Sequence, residues 1–194
     1  EVRECGRPFV REHRLLDPPS GMPAPERFQD RGFCRTFCRN CPFLPLVRKL
    51  SEKEIAVIAD AGCSVLAMNP PFRIGVASYG LGSAIAVAAR STGVALMGDY
   101  AVLHSGIPAL IDVFEKGTDT LVLVLKNTRM GMTGGQPVPD IIPYIAWAKP
   151  VVCGTNDEEK LETALFRTGC PRVVVIEGEC PEGRTHEIVE CRDL

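Results

Sequence analysis

The chain has 194 residues, 45% of them hydrophobic and 24% charged, with a formal net charge of −2. That is enough for one full core, and too balanced for nucleic acid or an anionic membrane to be the main partner. No apolar run reaches the ~18 residues of a spanning helix and no cleavable leader pattern opens the sequence, so a cytoplasmic protein is expected.

Residues 1–45 hold seven of the 16 prolines and four of the nine cysteines and show no sustained periodicity. They are expected to form an irregular Cys/Pro-rich arm that a partner or metal orders, with residues 46–194 as the folded domain. The odd cysteine count without a leader argues for reduced thiols, metal or iron–sulfur ligands over a secreted disulfide scaffold. Regular patterning then begins. "LPLVRKLSEKEI" predicts a short amphipathic helix, "IAVIAD" a strand ending at Asp60, and "YGLGSAIAVAARS" a helix of small residues. "VALMGD" predicts a strand, "SGIPALIDVFEKG" a helix closed by Gly117, and "DTLVLVLKN" a strand ending at Asn127. The helix "IIPYIAWA" and the strand "PVVCGT" follow. "DEEKLETALFRTG" is a helix started by Thr155, three residues before Glu158, and closed by Gly169; "PRVVVIEGE" is the last strand. The strands are continuous apolar runs and so are expected to be buried on both faces. Their alternation with helices predicts an α/β fold with a doubly wound parallel sheet.

Asp99 ends one predicted strand and Asn127 the next, so both side chains reach the carboxyl edge where such sheets bind ligands. The plainer account is turn chemistry, with Gly98 allowing a bend and Asp99 capping a helix. One carboxylate and one amide oxygen form a sparse oxygen pair that suits Mg²⁺, which completes its shell with waters and phosphates. A helix opening near His104 and Ser105 would aim free N–H groups at the same edge, which favours a phosphate. The loop "NTRMGMTGGQ" is longer than a minimal turn needs.

Gly98-Asp99, a helix and Asn127 together resemble the thiamin-diphosphate-binding motif. "GDYAVLHSGIPALI…VLKNTRMGMTGGQPVP" is similar to the diphosphate-binding domain of indolepyruvate:ferredoxin oxidoreductase, in the 2-oxoacid:ferredoxin oxidoreductase family. The family-like words are His104-Ser105-Gly106-Ile107, Met132-Thr133-Gly134 with Gln136, "CPF" and "DAGC", and the likeness runs from about Cys38 to Cys180. The resemblance implies that Asp99, Asn127 and the backbone carbonyl of Arg129 bind Mg²⁺. It implies that Gly98 lets thiamin diphosphate approach closely, with Tyr100, Ser105 and Gly106 beside it and Met132, Thr133 and Gly134 wrapping its centre. His104 would act near the diphosphate or substrate, or simply cap a helix. Tyr100 and Gly135 depart from the family's usual residue types, so the 2-oxoacid stays open.

Such enzymes also need a glutamate from a pyrimidine-binding domain, and no such domain fits beside the one assigned. A partner subunit is expected to supply it, making this chain half an active site. Within "CRTFCRNC", Cys34, Cys38 and Cys41 have the spacing of radical S-adenosylmethionine enzymes, but those continue into a long (β/α) barrel; a zinc knuckle needs a fourth ligand. The resemblance instead implies a [4Fe–4S] cluster on Cys38, Cys41, Cys63 and Cys180, with Cys34 or Cys5 able to replace one. Cys153, Cys170 and Cys191 are expected to be small buried apolar residues. The activity implied is oxidative decarboxylation of a 2-oxoacid, with electrons passing singly to ferredoxin or a ferredoxin-like subunit and coenzyme A taking the acyl group. A non-redox thiamin-dependent decarboxylase subunit and a non-catalytic assembly subunit remain as alternatives.

Overall fold

In chain order the strands are β1 (Val57–Ala59), β2 (Gly75–Ala77), β3 (Val94–Gly98), β4 (Leu121–Lys126), β5 (Arg129–Met130), β6 (Gln136–Pro137), β7 (Val151–Gly154) and β8 (Arg172–Glu177). All but β5 and β6 form one sheet in the order β2-β1-β3-β4-β8-β7, and every pairing in it is parallel. The expected doubly wound α/β architecture is therefore present. The computed structural model describes residues 35–181 and 186–191. All of these belong to one compact unit. Cys5, Cys34 and the arm as far as residue 34 lie outside the described residues.

The three central strands are buried almost throughout because helices cover both faces. Leu96, Leu123, Leu125, Val174 and Ile176 point to one face; Ala95, Met97, Val122, Val124 and Val175 point to the other. The first face carries α1 (Leu44–Glu52) and α6 (Glu158–Ala164); the second carries α2 (Ala84–Ala88), α4 (Ile107–Glu115) and α5 (Ile142–Ile145). Complete burial of every strand does not hold. β7 is an edge with one neighbour, and its Val151 and Val152 are 37% and 38% exposed. Phe37 and Phe43, within the stretch expected to be irregular, are core residues beside α1.

Several helix ends differ from expectation. The helix expected to open near His104 and Ser105 starts at once with α3 (Asp99–Ala101) and passes through a π-helical turn, Val102–Gly106, into α4. Pro108 has no N–H to give an i−4 carbonyl. The chain continues because Ile107 N–H reaches back to Val102 O, the wider π spacing. α6 is capped by Asp157, whose side chain accepts from Lys160 N at 3.2 Å, and not by Thr155. It ends before Gly169, as Arg167 turns off to donate to the Thr92 and Asp119 carbonyls. Gly117 closes α4 with φ +63° as expected.

Between Tyr79 and Ser91 only Ala84–Ala88 is helical. The loop before it is fixed by Asp60, wholly buried at the end of β1, whose carboxylate accepts from Gly82 N (2.8 Å) and Ala84 N (3.0 Å). Gly82 has φ +86°, and a Cβ there would strike Ser105 Oγ and come within 2.8 Å of Gly106 N. Gly82→Ala is therefore expected to cost about 1–3 kcal/mol, the usual range for overpacking. Urea unfolding measures it, and an unchanged midpoint would contradict the close approach.

The chain leaves β1 for β2 on one side and β3 for β4 on the other. The loops at those two carboxyl ends diverge, and a crevice opens between them.

Candidate functional site

Asp99 is the residue after β3, and the register Gly98↔Leu125 brings the ends of β3 and β4 level. It is only 2% exposed. Its Oδ2 accepts from Asn127 N (3.2 Å) and Thr128 N (2.8 Å), and its Oδ1 from Tyr100 N (2.8 Å). Thr128, with φ +54°, folds the chain so that two successive N–H groups meet one carboxylate oxygen. Asn127 Oδ1 in turn accepts from Arg129 N at 3.2 Å. Burial pushes the Asp99 carboxyl above its ordinary pKa, while the N–H groups of Thr128, Tyr100 and Asn127 pull it down. The result is a fixed, buried carboxylate beside a fixed amide oxygen, with lone pairs left over for a cation.

Above the ends of β1, β3 and β4 lies a cavity of about 290 Å³ with a largely apolar lining. Gly98, Asp99, Tyr100, Asn127, Arg129, Met132 and Thr133, all named from the sequence, line it. A carbon added at Gly98 would meet nothing within 4 Å, so this glycine leaves open space at the head of the cavity. His104, Ser105, Gly106 and Gly134 do not line it. His104 is exposed, its ring 5.7 Å from that of Tyr100 and its Nδ1 3.0 Å from Ser105 Oγ. Ser105 Oγ donates to the carbonyl of Leu81, itself a lining residue, and Gly106 packs inward towards Met97 and Ile85. Gly134 shapes the tip of the β5–β6 ribbon, which Gln136 Nε2 closes onto Thr133 O at 2.7 Å.

Ala61, Gly62 and Ser64, in the loop after β1, also line the cavity and were not foreseen. The rule that singled out the ends of β3 and β4 applies equally to Asp60 and would have found them. Gly131 was missed as well. A carbon added there would sit 3.6 Å from the Sγ atoms of both Cys63 and Cys180 and 3.9 Å from Asn127 Nδ2.

Cys38, Cys41, Cys63 and Cys180 line one small second cavity, together with Gly131 and His186, and the last three of these cysteines also line the larger cavity. The structure thus gathers the four thiols named from the sequence. Burial, reinforced by the neighbouring thiols, pushes Cys41 up to about 12 and Cys63 to about 11. The bare Cys41 and Cys63 thiols are therefore protonated, whereas a metal-bound thiol is deprotonated outright. Among the described residues, no group of three or more His, Cys, Asp or Glu side chains is arranged to hold a single metal ion. Cys153 and Cys191 are buried as expected, but Cys170 is exposed, in the turn after α6. No helix among the described residues is long and apolar enough to cross a membrane.

Residues 51–155 match the family described as "Thiamine pyrophosphate enzyme, C-terminal TPP binding domain". The chain is similar to indolepyruvate oxidoreductase subunit IorA of Archaeoglobus fulgidus, at 33% identity over 114 residues, 53% of this chain and 18% of that protein. The corresponding subunit of Methanothermobacter thermautotrophicus is 30% identical over 154 residues, 72% of this chain and 22% of its own. The chain thus spans 18 to 22% of the length of these relatives. Among solved structures, 2-oxoglutarate:ferredoxin oxidoreductase from Magnetococcus marinus superposes with a TM-score of 0.60 at 18% identity, over 82% of this chain and 69% of that one. A putative thiamin diphosphate-dependent enzyme from Mycobacterium smegmatis gives 0.53 at 18% identity, over 89% and 38%. At such identities the likeness is one of fold.

Proposed function

Because the chain belongs to the family of C-terminal TPP-binding domains of thiamine pyrophosphate enzymes, we propose that residues 46–194 are the cofactor-binding part of a 2-oxoacid:ferredoxin oxidoreductase of the indolepyruvate type. One observation carries this reading. The Asp99 carboxylate, buried at the switch point, is tied to the backbone of Asn127 and Thr128 just after the neighbouring strand, beside the open space at Gly98.

Asp99 and Asn127, with the backbone carbonyl of Arg129, hold Mg²⁺, the cation that an oxygen-only donor set of this size suits. Gly98 admits the diphosphate. Tyr100, Met132 and Thr133 line the body of the cofactor's cavity. Ser105 and Gly106 support it from behind, Ser105 by fixing the Leu81 carbonyl, and Gly134 shapes the turn of the β5–β6 ribbon that carries Met132 and Thr133. His104, exposed beside the lining residue Tyr100, is the candidate for proton transfer near the diphosphate or substrate. When bound, thiamin diphosphate supplies the electron sink for decarboxylation of a 2-oxoacid. Cys38, Cys41, Cys63 and Cys180 offer the four thiolates of a [4Fe–4S] cluster, which carries electrons singly towards ferredoxin. Coenzyme A takes the acyl group.

Asp99→Ala is expected to weaken binding of thiamin diphosphate and Mg²⁺ by at least 10–100-fold, or ~1.4–2.8 kcal/mol, since outer-shell losses alone reach that size. Asn127→Ala acts alike. Asp140→Ala, which removes an ion pair to Lys126 and a hydrogen bond from Ile142 N but touches neither Asp99 nor the cavity, leaves the Kd unchanged. Calorimetry on the assembled complex measures all three, and equal Kd values for wild type and Asp99→Ala would refute the assignment.

A further inference from the structure

We propose that His186 is a positioning residue for the iron–sulfur cluster, its Nδ1–H donating to the Cys38 thiolate and raising the cluster's reduction potential. The inference rests on the cluster reading above. The motif logic of the sequence did not reach this histidine, because it lies 148 residues from the cysteine it meets.

The segment carrying His186 is a strap laid along the residues that carry Cys38. Arg39 N donates to Glu187 O at 2.8 Å, and Glu187 N to Asn40 Oδ1 at 3.0 Å. Arg35 and Glu190 form an antiparallel bridge, and Cys191 is buried just beyond it. Backbone bonds on both sides of Cys38 thus fix the strap against the cysteine loop. His186, half-buried at the start of the strap, lines the thiol cavity, with Nδ1 3.6 Å from Cys38 Sγ. That distance suits a hydrogen bond to sulfur.

The chemistry of the thiolate sets its direction. An iron-bound thiolate has no proton to give and can only accept, so the proton must reside on Nδ1. A donor aimed at a cluster sulfur draws off negative charge and so favours the reduced, more negative cluster. Hydrogen bonds to the sulfurs are among the levers that set such potentials. Because the strap is held by backbone bonds, the donor is in place before any electron arrives.

The test is a redox titration of the anaerobic complex, followed by visible absorbance and electron paramagnetic resonance, with iron counted separately. His186→Ala is expected to keep its iron and to become about tenfold harder to reduce, ~59 mV for one electron. His186→Asn, whose amide nitrogen stands in for Nδ1, recovers most of the potential. A potential unchanged in His186→Ala overturns the inference and leaves the cluster reading intact. Loss of iron in both variants also overturns it, making His186 a ligand or a fold element. Wild-type protein without iron overturns the cluster reading itself.

Discussion

Anaerobically purified protein is expected to be brown and to hold about four irons per chain, and Cys63→Ser or Cys180→Ser alone should remove them. The two residues are far apart in sequence, one after β1 and the other after β8, so no local motif links them. The fold does, because both carboxyl ends open onto the same edge. Gly131, with no side chain, fills the gap between their sulfurs. Cys38 and Cys41 complete the wall of the same cavity. Cys170→Ser serves as the control, since that thiol is exposed and lines neither cavity. The opposite pattern, with iron or zinc lost on Cys34→Ser and Cys180→Ser harmless, would place the metal in the arm. A colourless, iron-free protein would favour the non-redox decarboxylase.

Turnover of any 2-oxoacid by these residues alone is expected to be undetectable, and to appear when a domain carrying the catalytic glutamate is supplied. The only carboxylate among the described residues lining the large cavity is Asp99. Its oxygens are already engaged by three backbone N–H groups and, on the reading above, by the metal. Asp60, the nearest buried alternative, is committed to Gly82 and Ala84. A glutamate poised on the cofactor must therefore come from outside these residues. Since thiamin diphosphate would touch both domains, it should also tighten their association by linkage. Mixing the purified parts with and without cofactor, and following product together with sedimentation, tests both statements. Robust turnover by the chain alone would sink the half-site account.

The site was legible where sequence pattern maps directly onto position. A continuous apolar run marks a strand and its end marks the carboxyl edge, which places Asp99 and Asn127 there; reading them as cofactor ligands leaned on the long loop after Asn127 and on the family likeness. The same logic failed at β2, three residues at the sheet's margin whose half-exposed side chains leave no apolar run to notice. It misjudged the helix after β3 because Pro108 looks like a first-turn residue, and a π-helical turn carrying a helix past it has no compositional signature. As a result Ser105 and Gly106 fall behind the cavity wall. The strap at 186–191 was invisible for another reason. Its pairing includes backbone bonds to residues some 150 positions earlier, and backbone bonds carry no sequence signal. Cys38 and Cys41 were separable from Cys34 only through the family likeness, since spacing alone treats the three equally.

The place of β8 has a consequence for how the chain is made. This last strand lies between β4 and β7, pairing six residues with one and four with the other. At ~5–20 residues per second on the ribosome, β4 waits several seconds after synthesis with its inner edge unpaired. That edge is a six-residue ladder, Leu121–Lys126, apolar at its first five positions, of the kind that recruits strands from other chains. Truncation before Pro171 should therefore yield aggregate in place of a smaller stable domain. Stability arrives late and in one step, when β8 enters two ladders together, and Cys180 follows only a few residues behind. On the cluster reading, its four cysteines can meet only after the chain has been made through Cys180, and a chaperone that shields Leu121–Lys126 until that moment is what this strand order calls for.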